Sequence, residues 1–284
     1  MQVAVEQQQP PVARRRRRPR AVLFFSLSWL ALLALVALTA SWLPLPDPDT
    51  VDVGGKLADP SSAHWLGTDH LGRDVLARLV FSARIELPAP LLAIAITGCL
   101  GLPLGLIAGY AGGAVDFILS RIADGLMSIP PLVLALALVA ALGPSIVNAM
   151  IAIGIVHAPR LFRVVRGSAL SARQKDYVRA ATGFGARPVH IVWYHMLPSV
   201  APAVLVQLAL MMGFTLLAES SLSFLGLGAQ PPASTWGVMM GQAFPAIHDT
   251  PMLMVYPGIC VALTILAFNL VGDSLRDRLD RNDR

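Results

Sequence analysis

Charge is scarce in this chain: 14% of its 284 residues are Asp, Glu, Lys or Arg, against about 25% in an ordinary soluble domain. Lysine is nearly missing. Lys56 and Lys175 are the only two, and neither completes the G-x-x-x-x-G-K-[ST] loop that cradles nucleotide phosphates. ATP hydrolysis by this chain is therefore not expected. The two cysteines, Cys99 and Cys260, fall inside apolar runs, and no Cys pair or Cys/His spacing supports a disulfide or a metal site. HExxH and GxSxG are absent too. No paired acids are expected within two separate spans, which argues against a membrane-embedded enzyme.

What the chain has in excess is apolar surface. Hydrophobic residues make up 55% of it, and the mean hydropathy is +0.64. A water-soluble fold of this length could not hide so much, so the composition points to an integral membrane protein. The net charge of +5 is clustered rather than spread over one face, so no nucleic-acid partner is expected. Residues 1–20 form a polar tail ending in RRRRRPR, expected to be disordered and to anchor the first span on the cytoplasmic side. Residues 21–43 form that span, too long for a signal-peptide core of about 7–15 residues.

Five further spans are expected at roughly 85–108, 117–142, 145–162, 201–220 and 251–271. The predicted fold class is an all-α membrane protein with six transmembrane helices. Six crossings put both termini on one side. A second basic cluster, from Arg160 to Arg187, lies between the fourth and fifth spans, so the positive-inside rule makes both termini and that connection cytoplasmic. The acid-rich segment 44–84 and the nearly uncharged loop 221–250 are then extracytoplasmic. The core runs over 85–273, and 274–284 form a cytoplasmic tail. Small and breaking residues punctuate the spans: Gly101, Pro103, Gly105 and Gly109 in the second, Pro130 and Pro131 in the third. In lipid, small residues let helices approach closely.

The most informative polar interval is RAATGFGARPVHIVWYHMLP, Arg179 to Pro198. Ser171 followed by Gln174 fits a capping box that starts a helix near Ala172. Gly183 and Gly185 end that helix, and Pro188 suits the first turn of a second one. There Val189, Val192, Trp193 and Met196 fall at i, i+3, i+4 and i+7, predicting one apolar stripe. Ala180, Ala181 and Gly185 leave the bend nearly bare of side chains. Two readings fit these residues equally: a helix pair lying on lipid headgroups, or a dock for a partner protein.

The same interval resembles the cytoplasmic "EAA" loop in permease subunits of bacterial ATP-binding-cassette importers. That loop reads Glu-Ala-Ala, three residues, Gly, nine residues, an apolar residue, any residue, Leu-Pro. Here Arg179-Ala180-Ala181 precede Gly185 by the same gap, and His195-Met196-Leu197-Pro198 close the pattern. Arg179 replaces the acid and His195 the aliphatic residue; Asp176, next to Tyr177, is a nearby substitute for the missing carboxylate. HWLGTDHLGRD from His64, LGLIAGYAGG from Leu104, ESSLSFLGLGAQPP from Glu219 and AFNLVGDSLRDRLD from Ala267 are similar to the C-type subunits of the dipeptide/oligopeptide/nickel branch. The likeness covers about His64 to Asp280.

The resemblance implies a type I importer permease in the bacterial plasma membrane. Two homologous permease chains would form the path, and two ATPase subunits would hold ATP and Mg and receive the coupling loop at about 163–198. An extracytoplasmic binding protein would deliver a di- or oligopeptide; nickel, haem or another small solute is the alternative. No cofactor and no metal are expected on this chain. Charged residues in or near the spans are functional candidates by default. Arg121 and Asp124 sit three apart, as a helical ion pair does, with substrate contact or gating by Asp124 the other reading. Glu219 either ends the fifth span or meets substrate near the outer face. Glu86 is expected to be interfacial, and His64 and His70 to be loop residues rather than metal ligands.

Overall fold

The computed structural model describes residues 20–282, so the expected basic tail lies outside the described residues except for Arg20. The long elements of the described chain are all helices: α1 (Arg20–Thr39), α2 (Val75–Glu86), α3 (Pro88–Ala111), α4 (Gly113–Met127), α5 (Pro131–Leu142), α6 (Ile146–Arg173), α7 (Asp176–Gly183), α8 (Pro188–His190), α9 (Leu197–Phe224), α10 (Trp236–Ala243) and α11 (Met252–Asn282). Five stretches are long and apolar enough to cross a membrane: Val22–Trp42, Val75–Ala111, Ile146–Arg173, Pro188–Phe224 and Met252–Leu279.

The sixth expected span is not one helix. α4 and α5 meet at 91°, correcting the continuous span expected over 117–142. Pro130 and Pro131 both lack an amide hydrogen, and each disfavours helical backbone in the residue before it. Pro130 is accordingly extended (φ −53°, ψ 130°) and Pro131 opens α5. The second span also begins earlier than expected. α2 is stacked onto α3 through Leu87, so a helix occupies the end of the segment read as a loop to residue 84.

The centre of the fold is α3 against α6. Gly101, Gly105 and Gly109 fall four apart on one face of α3. A Cβ at Gly105 would lie 2.6 Å from Val165 Cβ, one at Gly109 2.5 Å from Ala169 Cβ, and one at Gly101 2.9 Å from Ala158 O. Only glycine allows the two backbones this separation. α6 reciprocates with Gly154, whose Cβ would meet Ile96 Cβ at 2.7 Å. Beside it the Thr97 hydroxyl donates to Gly154 O at 3.1 Å. α9 packs against α6 and α11, and α1 joins α11 through Trp29 Nε1, which donates to Thr264 Oγ1 at 3.1 Å.

The segment before α2 is ordered by polar contacts. Asp74 caps α2, its Oδ1 accepting from the Ala77 N–H at 2.7 Å, while its Oδ2 holds His64 Nδ1 at 2.9 Å. Asp69 Oδ2 accepts from Arg73 Nε at 2.7 Å. Arg73 and Arg78 both donate to Gln242 Oε1 of α10, at 3.0 and 3.3 Å. His64 thus orients a cap, and no cluster of three His, Cys, Asp or Glu suited to a metal exists among the described residues. Burial holds the His70 imidazole below its usual range, more than the neighbouring Asp69 raises it. Protonation of His70 therefore opposes folding as pH falls below about 6.5.

Candidate functional site

The interval between α6 and α9 folds as a helix, a bend and a second helix, with two differences from expectation. Ser171 does not cap a helix. α6 continues through it to Arg173, and its hydroxyl donates back to Gly167 O at 3.2 Å. The apolar run through Leu161, Val165 and Ala169 keeps α6 packed on α3 past that point, which outweighs a local capping preference. The next helix starts at Asp176 after an extended Lys175 (φ −69°, ψ 143°), with the acid in the first turn, where the helix dipole favours it.

The bend is a Schellman motif. The Ala186 N–H donates to Ala181 O at 3.1 Å and the Gly185 N–H to Thr182 O at 3.0 Å. Gly185 sits at φ +76°, and nothing lies within 4 Å of where its Cβ would be. Pro188 then opens α8.

The second difference is the buried face. From Ile191 to Met196 the helix winds with π geometry before entering α9. Its i→i+5 bonding brings residues five apart onto one face. Ile191 and Met196 are consequently the buried pair, and Val189 and Trp193 of the expected stripe are exposed. Ile191, Met196 and Val178 pack with Leu161, Val165, Val200 and Leu106, anchoring the helix pair to α3, α6 and α9. Leu197 packs at the edge of the same cluster, while Pro198 is exposed in the first turn of α9.

The opposite face is bare of structural work. Asp176, Tyr177, Arg179, Ala180 and Gly185 are all exposed, Ala181 is half-buried, and Phe184 at the bend is 92% exposed. His195 is half-buried, its ring 6.3 Å from that of Tyr177 and 5.7 Å from that of His190. It occupies the aliphatic position of the motif as one member of an aromatic cluster. Phe184 was not singled out from the sequence. Its signal is an aromatic residue beside a left-handed glycine, a place where no side chain of the chain itself can cover it.

Asp124 bonds mainly to another helix. Its Oδ1 accepts from Arg163 Nη2 of α6 at 2.6 Å, while Arg121 stands 3.8 Å away. Two helical turns nearer the start of α4, Asp116 takes a bidentate pair from Arg166, with Nη2 at 2.6 Å. Both acids fasten α4 to α6.

Glu219 lies within α9, which runs on to Phe224, and is fully buried. Ser223 Oγ donates to its Oε1 at 2.6 Å. Glu86 is fully buried too, not interfacial; it neighbours Glu219, and its Oε2 has no hydrogen-bond partner among the described residues. Paired acids inside the fold were not expected. The break at Leu87–Pro88 turns Glu86 inward, and the start of α10 meets it: the Trp236 N–H donates to Glu86 Oε1 at 2.7 Å. Trp236 Nε1 donates to Leu79 O at 3.1 Å, and a Cβ on Gly237 would lie 2.5 Å from Ser220 O. The Trp-Gly pair therefore lets α10 seat on α2 and α9 together. Glu86→Gln keeps an acceptor for the Trp236 N–H and adds a donor beside Glu219, so its melting temperature should match or exceed that of the wild type. Glu86→Leu orphans the amide and should cost about 1–3 kcal/mol.

Comparison with known proteins agrees with this architecture. Residues 101–283 match the model of the family described as "Binding-protein-dependent transport system inner membrane component". The chain is 42% identical over 251 residues to the "Probable D,D-dipeptide transport system permease protein DdpC" of Escherichia coli (strain K12), covering 88% of this chain and 84% of that protein. It is 40% identical to the "Nickel transport system permease protein NikC" of the same strain, covering 88% and 91%. It is 39% identical to the "Dipeptide transport system permease protein DppC" of Alkalihalophilus pseudofirmus, covering 87% and 81%. A chain of the inward-facing MetNI methionine ABC transporter shares the fold, with a TM-score of 0.58 at 17% identity, covering 72% of this chain and 96% of that one. The family match spans more than half the sequence and the curated likeness most of it: the chain belongs to the binding-protein-dependent transport inner membrane components, the permease subunits of ABC importers.

Proposed function

We propose that this permease is one of two homologous chains forming the path for a di- or oligopeptide, and that α7, the bend and α8 seat in a groove of one of two ATPase subunits. ATP and Mg belong to those subunits. In this reading the described termini and the helix pair face the cytoplasm, and the segment before α2 and the loop carrying α10 face the binding protein. The observation that carries the reading is the two-sidedness of the helix pair. Val178, Ile191 and Met196 fix one face in the core, whereas Tyr177, Arg179, Ala180, Phe184 and Gly185 are exposed on the other, with Tyr177 meeting the His195 ring. A displacement of the pair would reach α9 through Leu197-Pro198, giving alternating access driven by differential binding to two states.

In the wild-type motif the acid position is filled by Arg179, so the partner contact is of opposite charge, with Asp176 one turn earlier. Phe184 is the aromatic anchor. Phe184→Ala should leave the permease folded and lower recovery of the ATPase subunit on co-purification by about tenfold or more, the scale of an interface hot spot. Recovery at the wild-type level would remove Phe184 from the interface. The solute is tested by reconstituting the whole complex and measuring ATP hydrolysis with the binding protein and a dipeptide, an oligopeptide, nickel or haem. Stimulation by peptides alone is the expected result; stimulation by nickel alone would favour the reading suggested by the NikC relative.

A further inference from the structure

The 91° break between α4 and α5 opens a cavity of about 520 Å³, walled by α4, α5, α6 and α9. Small-molecule sites commonly fall between roughly 300 and 1,000 Å³, so a short peptide fits. Its lining is almost wholly apolar, including Met127, Leu132, Ile153 and Phe214. Two ionisable side chains interrupt it, His157 and Arg160, one turn apart on α6. Arg160 is the single charged group in the lining.

Its position is unusual for a charge. Arg160 lies midway along α6, about 21 Å of helix rise from Ile146 and about 20 Å from Arg173. Its side chain is exposed, and a charged residue within a candidate span is a functional-site candidate by default. Arg163 and Arg166, further along the same helix, are paired with Asp124 and Asp116. Arg160 has no carboxylate partner among the described residues; its guanidinium stands over the Phe214 ring, 5.7 Å from the centroid. That contact positions the planar fork on the cavity wall without consuming its hydrogen-bond donors. His157 is fixed beside it, its Nδ1 3.3 Å from Thr215 Oγ1. Pro131, the first residue of α5, also lines the space. Interrupted helices of this kind border substrate sites in other transporters.

We propose that this cavity is a solute-binding station on the translocation path, and that Arg160 binds the carboxylate of the transported molecule while the apolar wall holds its side chains. The proposal rests on the peptide-importer reading above and specifies which end of the peptide the permease recognises. It predicts that a solute lacking a free carboxylate binds the permease weakly, whatever its binding protein accepts.

The test uses the whole purified complex without its binding protein and tritiated Ala-Phe at millimolar concentrations, displaced by unlabelled Ala-Phe or by its C-terminal amide. In the wild type the acid should displace the label at least about tenfold better than the amide, the scale of a charge-assisted bond. In Arg160→Gln that advantage should vanish, and Arg160→Lys should restore part of it. Arg160 has no partner acid among the described residues to be orphaned, so the glutamine variant should assemble normally. Equal displacement by acid and amide in the wild type, or no saturable binding, overturns the proposal. So does an acid preference that survives Arg160→Gln, or a loss of the second permease chain from that variant, which would mean that Arg160 pairs with a neighbour's carboxylate. Vesicle uptake of Ala-Phe with the binding protein present separates the two levels. Uptake by the wild type without the Arg160 effect refutes this inference alone; absence of uptake refutes the peptide reading and this inference with it.

Discussion

Gly105→Leu should lose recovery of a folded permease or lower its melting temperature by many degrees. The new Cβ would lie 2.6 Å from Val165 Cβ and 2.9 Å from Phe162 O. The second contact is to backbone, so no rotamer change relieves it, and α3 and α6 must separate along their length. Overpacking of this kind costs about 1–3 kcal/mol and sometimes more, against a total stability of order 5–15 kcal/mol. The same separation removes the Thr97 bond to Gly154 O and loosens Leu106 from its cluster with Leu161 and Val165. Gly98→Leu is the control: it lies in the same helix, and nothing stands within 4 Å of its Cβ. Detergent-solubilised protein that migrates as a single folded species should be retained for Gly98→Leu and lost, or melt roughly 6–12 °C lower, for Gly105→Leu. Equal recovery of the two would mean that the glycine stripe does not set the helix separation.

Gly185→Trp should have the opposite character, leaving the fold intact and disconnecting it from ATP hydrolysis. Apart from its chain neighbours, nothing lies within 4 Å of where the Gly185 Cβ would be, so a side chain can leave the backbone there without a clash at its root. The cost to folding is the left-handed backbone at φ +76°, of order 1 kcal/mol for a residue other than glycine. Gly185→Ala carries that same backbone cost without the bulk. If a partner surface approaches the bend closely, ligand-stimulated ATP hydrolysis of the reconstituted complex should fall tenfold or more with tryptophan and only slightly with alanine. A tryptophan variant with normal stimulation would place the partner elsewhere.

Local chemistry made the bend legible: glycine at the left-handed position and proline at the next first turn foretell its form without tertiary information. The close approach of α3 and α6 was legible in Gly101, Gly105 and Gly109 for the same reason, since a missing side chain implies a near neighbour. Three features were not. The π winding that buries Ile191 and Met196 is decided by the core beneath it, because the α-helical stripe through Val189 and Trp193 satisfied the sequence equally well. The right-angle break at Pro130–Pro131 was masked because prolines are tolerated inside long membrane helices, as Pro103, Pro159 and Pro257 show here. The meeting of Glu86, Glu219 and the start of α10 joins residues far apart in the chain, and no periodicity reports it. Arg160 was visible only as one of a basic cluster; its separation from Arg163 and Arg166 comes from which acids α4 places opposite them.

The central claim is that the outward face of α7, the bend and α8 is covered by an ATPase subunit. The most direct measurement is maleimide labelling of Phe184→Cys in a chain whose Cys99 and Cys260 have been replaced by serine and alanine, as isolated permease and within the assembled importer. With Phe184 almost fully exposed in the chain itself, labelling should be fast in the isolated permease and at least about tenfold slower after assembly. Equal rates in the two states would contradict the account.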